Sequence, residues 1–110
     1  MSLLLGNVSK KFYKPLILGQ VPQVLSGAGA VDITSQITHL VTGAADALTL
    51  ADGIEGQIKH IIMKTDGGDG TLTPVNLGNG TTITFDNADS AQLIFTNGNW
   101  YMIGGNATLA

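Results

Sequence analysis

Histidine and carboxylate side chains are the groups in this chain with the clearest capacity for chemistry. His39 and His60 lie far apart in the sequence, with no HxH or HxxxH spacing. A metal site needs several converging ligands, commonly two histidines at short spacing with a carboxylate or thiolate. The spacing therefore predicts packed or hydrogen-bonded structural histidines. Asp66-Gly67-Gly68-Asp69-Gly70 has the look of a calcium loop. An EF-hand loop, however, places oxygen ligands at alternate positions and closes on Glu. The Gly-Asp repeat of calcium-binding β-rolls needs many copies, and there is one here, so the segment reads as a glycine turn. These glycines run into Thr71-Leu72-Thr73, not into Lys-Ser/Thr and a helix, which removes a phosphate-binding loop. Ser26, His39 and Asp32 supply the residue types of a catalytic triad, but no nucleophile elbow surrounds the serine. The absence of Cys removes thiolate nucleophiles, thiolate metal sites and disulfides. Asn7, Asn79 and Asn106 match the glycosylation pattern and read as residues of turns and an arm. No cofactor and no enzymatic activity are expected.

The elements around these residues must be built from strands. Hydrophobic residues make up 44% of the 110 positions and charged residues only 12%, where about a quarter charged is ordinary. The letters between apolar runs are mostly Thr, Asn, Asp and Gly, the palette of strands joined by tight turns. One domain is expected at this length. A small monomer normally stays soluble through surface charge. Sparse charge therefore points to burial against other subunits. No apolar run approaches the roughly 20 residues of a membrane span. Leu3-Leu4-Leu5 lacks a preceding basic region, so the mature chain is expected to begin at its first residue.

Residues 1–30 show no sustained period. Pro15, Pro22, Gly19, Gly27 and Gly29 punctuate them, which predicts an extended N-terminal arm with one short strand over 16–18. Lys10, Lys11 and Lys14 are three of the five basic residues, and no acid precedes Asp32. From there on, Lys59 and Lys64 face eight acids. A basic arm on an acidic body suits docking on an acidic partner surface or a solvated tail. Three lysines without Arg make a poor phosphate footprint, so nucleic acid is not an expected partner. Phe12, Tyr13, Leu16, Ile17 and Leu18 need a surface to cover.

Residues 31–110 are the expected β-domain. Strand runs are read at 31–33, 37–42, 47–50 and 57–65; residues 34–41 also allow a short helix, but β-branched Ile, Thr and Val favour strand. Residues 66–70 are a turn between strands, and Gly78-Asn79-Gly80 joins 71–77 to 81–85. Pro74 removes a ladder donor, which predicts an edge strand or a bulge. Asn97-Gly98 between apolar runs is the strongest hairpin signal in the chain. A two-residue loop pairs Thr96 with Asn99, Phe95 with Trp100, Ile94 with Tyr101 and Leu93 with Met102. Alternation puts Leu93, Phe95, Trp100 and Met102 on one face and Ile94, Tyr101 and Ile103 on the other. Both faces are apolar, so one meets the core and the other a second sheet or subunit. The fold class expected is all-β, a compact antiparallel sandwich or barrel-like domain of hairpins.

The chain resembles short β-structured virion proteins of tailed bacteriophages, whose modules also occur in longer tail and fibre proteins. The stretches that carry the resemblance are Ile37-Thr38-His39-Leu40-Val41-Thr42, Ala47-Leu48-Thr49-Leu50-Ala51-Asp52-Gly53 and Glu55-Gly56-Gln57-Ile58-Lys59. It continues through Met63-Lys64-Thr65-Asp66-Gly67-Gly68, Gly80-Thr81-Thr82-Ile83-Thr84-Phe85 and Leu93-Ile94-Phe95-Thr96-Asn97-Gly98-Asn99-Trp100-Tyr101. It covers roughly residues 30–106 and leaves the arm uncovered. The resemblance implies a structural role in a particle, often as a trimer.

The function expected is that of a capsid decoration (cement) protein on the exterior of a phage head. Its partners would be itself, as a homotrimer, and the major capsid or another virion protein. Lys10, Lys11, Phe12, Tyr13 and Lys14 are the expected shell contacts; Ile94, Tyr101 and Ile103 are the expected subunit contacts. A tail or fibre component, or a receptor- or carbohydrate-binding module at a tail tip, is the alternative. Aromatic residues are 5% of the chain, and its single Trp lies in a hairpin instead of a binding loop.

Overall fold

The computed structural model describes Ile17 and residues 19–110. Among the described residues, ten strands fill two five-stranded sheets packed face to face, so the all-β expectation holds and the sheets form a sandwich instead of a closed barrel. The strands are β1 Gln23–Ser26, β2 Gly29–Val31, β3 Ile37–Thr42, β4 Asp46–Leu50, β5 Ile58–Asp66, β6 Gly70–Pro74, β7 Ile83–Phe85, β8 Ser90–Thr96, β9 Asn99–Gly105 and β10 Thr108–Leu109. The first sheet has the order β1-β3-β5-β8-β9 and the second β10-β7-β6-β4-β2.

The expectation of antiparallel hairpins throughout needs correcting. From β1 to β6 the chain changes sheet at every connection, so odd strands collect in one sheet and even strands in the other. The resulting pairs β1–β3, β3–β5, β2–β4 and β4–β6 are all parallel. Parallel neighbours need a crossover between them; here each crossover is a strand of the opposite sheet. Only the C-terminal part is antiparallel, through β5–β8, β8–β9, β6–β7 and β7–β10. Like residues stack across the parallel part, with Leu25 beside Leu40 and Leu48 beside Leu72.

Inward-facing residues of both sheets make one core of Leu40, Leu48, Leu50, Ile61, Leu72, Ile83, Phe85, Leu93 and Trp100, each essentially without solvent exposure. Trp100 meets Phe95 edge to face at 5.2 Å between ring centroids, and its indole N–H donates to the Ala51 carbonyl at 2.8 Å.

Two further expectations shift. Residues 23–30 are not arm: β1 and β2, which runs on into Val31 of the expected β-domain, belong to the sandwich, and the breakers Pro22 and Gly27 only flank β1. Gln23 ties this rung down, accepting from the Asp32 amide at 2.9 Å and the Thr38 hydroxyl at 2.8 Å. The predicted strand at 16–18 falls outside the described residues apart from Ile17, which is not in a strand. Pro74 ends β6, which is the central strand of its sheet, not an edge. The Val75 amide bonds Leu50 in β4, so the nitrogen of Pro74 faces the other side, where β7 stops pairing at Leu72. A missing donor is harmless there.

Candidate interaction surface

The two outer faces of the sandwich differ in chemistry. On the β2-β4-β6-β7-β10 sheet, Ala30, Thr49 and Thr73 form one outward row, and Ala47, Thr71, Thr84 and Thr108 form another. Small hydroxyl-bearing side chains leave this face wet. On the β1-β3-β5-β8-β9 sheet the outward row is Val24, His39, Ile62 and Ser90, followed by Ile37, His60 and Gln92. Ile58, Ile94 and Tyr101 form a third row. Val24, Ile62 and Ile103 are all substantially exposed on it.

Of the expected subunit contacts, Ile94 and Tyr101 are partly buried neighbours across β8–β9 and Ile103 is 53% exposed. The register expected for this hairpin is the one observed, at all four pairs. A bulge between Gln92 and Leu93 then turns the strand end. Tyr101 is hemmed on one side by Gly78, where an added Cβ would lie 2.4 Å from its ring. The loop carrying Gly78 also seals the edge of β9. Trp100 exchanges backbone bonds with Asn76 and Gly78, and the Asn79 side-chain amide bonds both the N–H and the C=O of Met102. The expected shell contacts Lys10, Lys11, Phe12, Tyr13 and Lys14 lie outside the described residues.

An open groove of about 650 Å³ runs along this face, lined by Ile17, Ile37, His60, Ile62, Gln92 and Gly105 among others. Both histidines are on this face, half-buried, and neither imidazole has a hydrogen-bond partner among the described residues. His39 is not brought to Asp32, whose carboxylate is engaged elsewhere.

That engagement is the one ion pair among the described residues. Lys59 points into the sandwich with no exposed side-chain surface and reaches Asp32 at 3.2 Å and the Ser35 carbonyl at 2.6 Å. Burial pushes the Lys59 ammonium below its usual pKa, and Asp32 only partly restores it. Burial also pushes the Asp32 carboxyl up, but bonds from the Ser35 amide and the Lys59 ammonium, with the ammonium's charge and the Ser35 hydroxyl, together hold it below its usual value. The sequence held a faint signal for this pair: Lys59 is in phase with inward Ile61 and Met63. Apolar Ile58 and Ile62 in the opposite phase masked it.

At one end of the sandwich, carboxylate oxygens of Asp66, Asp69 and Asp86 lie within 4.8 Å of one another. The turn at 66–70 supplies two of them and the β7–β8 connection the third, a convergence no local spacing could reveal. Asp66 already accepts from the Gly68 amide at 3.0 Å. Calcium takes six to eight oxygen ligands, of which this cluster offers three carboxylates. Comparison with protein-family models, with curated proteins and with solved structures finds no match to the chain.

Proposed function

We propose that this chain is a non-enzymatic structural subunit of a symmetric particle, specifically a decoration (cement) protein that binds the exterior of a phage head as a homotrimer. The observation that carries the reading is the contrast between the two outer faces, one threonine-rich and one apolar with Val24, Ile62 and Ile103 uncovered. Large exposed apolar side chains gathered on one sheet face suit an interaction site. Low overall charge agrees with it, and so does the sequence resemblance to short virion proteins. Ile94, Tyr101 and Ile103 are the proposed subunit contacts. Lys10, Lys11, Phe12, Tyr13 and Lys14 are the proposed contacts with the major capsid protein. Many weak contacts repeated over a shell add through multivalency.

A fibre or tail component is the second reading, favoured by one feature. The parallel rungs end in β1 and β2, edge strands with no strand paired on their far sides among the described residues. Further rungs of a longer fibre would stack there. Quantitative mass spectrometry of purified particles separates the two. Hundreds of copies per particle are expected for decoration, whereas a handful would rule it out in favour of the fibre.

A further inference from the structure

We propose that Asn97 is a site of spontaneous deamidation and isomerisation, a covalent modification that needs water and no enzyme, and that the fold shields Asn79 from the same reaction. This chemistry belongs to the isolated chain and does not depend on its place in a particle. The sequence contains two Asn-Gly pairs, Asn79-Gly80 and Asn97-Gly98. In such a pair the backbone nitrogen of the glycine can attack the side-chain carbonyl carbon of the asparagine. At Asn97 the Gly98 nitrogen bonds Cγ, the Cγ–Nδ2 bond breaks, and Nδ2 leaves as ammonia with the proton that the Gly98 amide gives up. The resulting cyclic imide takes up one water at either of its carbonyls, so the product is aspartate or its β-linked isomer. A glycine in second place leaves the attacking nitrogen unshielded, because it has no side chain. Both pairs meet that requirement, and both asparagines are exposed.

Their surroundings separate them. The Asn79 side chain donates to the Met102 carbonyl at 3.0 Å and accepts from the Met102 amide at 3.2 Å. Gly80 is pressed against the end of the chain, where an added Cβ would lie 2.7 Å from Leu109 Cδ1 and 2.9 Å from the Ala110 carbonyl oxygen. On either side, the Gly78 and Thr81 amides bond the Trp100 and Ala110 carbonyls. Attack at Asn79 has to break this set of contacts. The Asn97 side chain has no hydrogen-bond partner among the described residues, and nothing lies within 4 Å of a Cβ added at Gly98.

The turn itself supplies the route. Positive φ at both Asn97 and Gly98, 54° and 77°, is the type I′ form. Flipping the one peptide plane between them gives type II′, the other two-residue hairpin turn, with the flanking strands left in place. In type II′ the first central residue has ψ of about −120°, which swings the next nitrogen to the side of Cβ and within reach of Cγ. Gly98 accepts the accompanying change in the sign of φ. One bond opposes the flip, from the Asn99 side-chain amide to the Asn97 carbonyl at 3.1 Å, and it is exposed. Glu55 holds the Asn97 N–H, which lies outside the plane that turns. The β-linked product adds a methylene to the main chain of this loop, and either product sets a second carboxylate beside Glu55, weakening its hold on the turn.

The test holds the full-length protein at mildly alkaline pH, folded and in parallel unfolded in urea. Peptide mapping that separates asparagine, aspartate and isoaspartate follows both sites with time. In the folded chain Asn97 is expected to convert at least about tenfold faster than Asn79, whose two side-chain bonds must break first. In urea the two sites should convert at similar rates. Asn99→Ala removes the bond that holds the plane and should speed Asn97 about fivefold in the folded chain, with Asn79 unchanged. Equal rates in the folded chain, faster conversion of Asn79, or two intact asparagines after the unfolded control has converted would overturn the site. A preference for Asn97 that persists in urea would overturn the shielding by the fold. An unchanged Asn97 rate in Asn99→Ala, or acceleration at both sites, would overturn the peptide-flip route. Particle copy number is untouched by any of these outcomes, so failure here and failure of the decoration reading are separable.

Discussion

Lys59 occupies the least hospitable position for its chemistry in this molecule, because an ammonium without solvent contact survives only on its partners. Removing one partner of a buried pair leaves an uncompensated charge, while replacing the charge with an apolar group is far milder. Asp32→Ala should therefore lower the unfolding free energy by about 3 kcal/mol, the low end for such pairs because Asp32 is 35% exposed. Lys59→Met should cost much less; equal losses in urea titrations would rule out the uncompensated-charge account. The pH dependence has a definite sign. Asp32 is held below its usual 3.8, so its contribution is complete above that pH and is lost as acid titrates the folded state. Stability of the parent chain should fall below pH 3.8 more steeply than that of Asp32→Asn, and superimposable pH profiles would contradict this.

Among the elements, the β8–β9 hairpin and the turn at 66–70 make an instructive pair. Asn97 and Gly98 have φ of 54° and 77°, the left-handed conformation of a two-residue hairpin turn. With two loop residues there is only one way for the flanking strands to meet, so local chemistry fixes the register. Gly98→Ala should cost about 1 kcal/mol, read as a lower urea midpoint at unchanged m-value. A change in m would mean that the hairpin itself had rearranged. Glu55 supports the same turn from outside the hairpin, accepting from the Thr96 hydroxyl and the Asn97 amide, and these bonds hold its pKa below the usual value. The glycines at 67, 68 and 70 also bend the chain, yet they deliver β6 to the opposite sheet, beside β4. A turn sequence specifies a bend; the strand already waiting decides where the next one pairs.

At the scale of the whole molecule, the outer faces of the sandwich differ, one threonine-rich and one richer in apolar residues, and the proposed assembly should depend on the second alone. Ile62→Lys and Ile103→Lys change exposed side chains, so each should alter monomer stability by no more than about 0.5 kcal/mol. Both should shift the chain toward monomer in sedimentation velocity. Thr73→Lys, on the opposite face, should leave the proposed oligomer intact, and a parent chain that sediments as a monomer would overturn the proposal. Dissociation by Thr73→Lys with no effect of the other two would reverse the assignment of faces.

The sequence by itself determined that this chain is built of strands, that Asn97-Gly98 pairs Phe95 with Trp100, and that Ile94 and Tyr101 share a face. Each follows from period-two alternation or from a turn too short to allow alternatives. The parallel winding of β1 to β6, the burial of Lys59 against Asp32 and the meeting of Asp86 with Asp66 and Asp69 were decided by the tertiary structure. Those contacts join residues on different strands and loops, and no local pattern encodes which strand becomes whose neighbour. The chemistry that opened the question resolves in the same way. His39 and His60 do end up on one face, on adjacent outward rows of β3 and β5. Alternation put each histidine outward; only the packing of β3 against β5 made them neighbours.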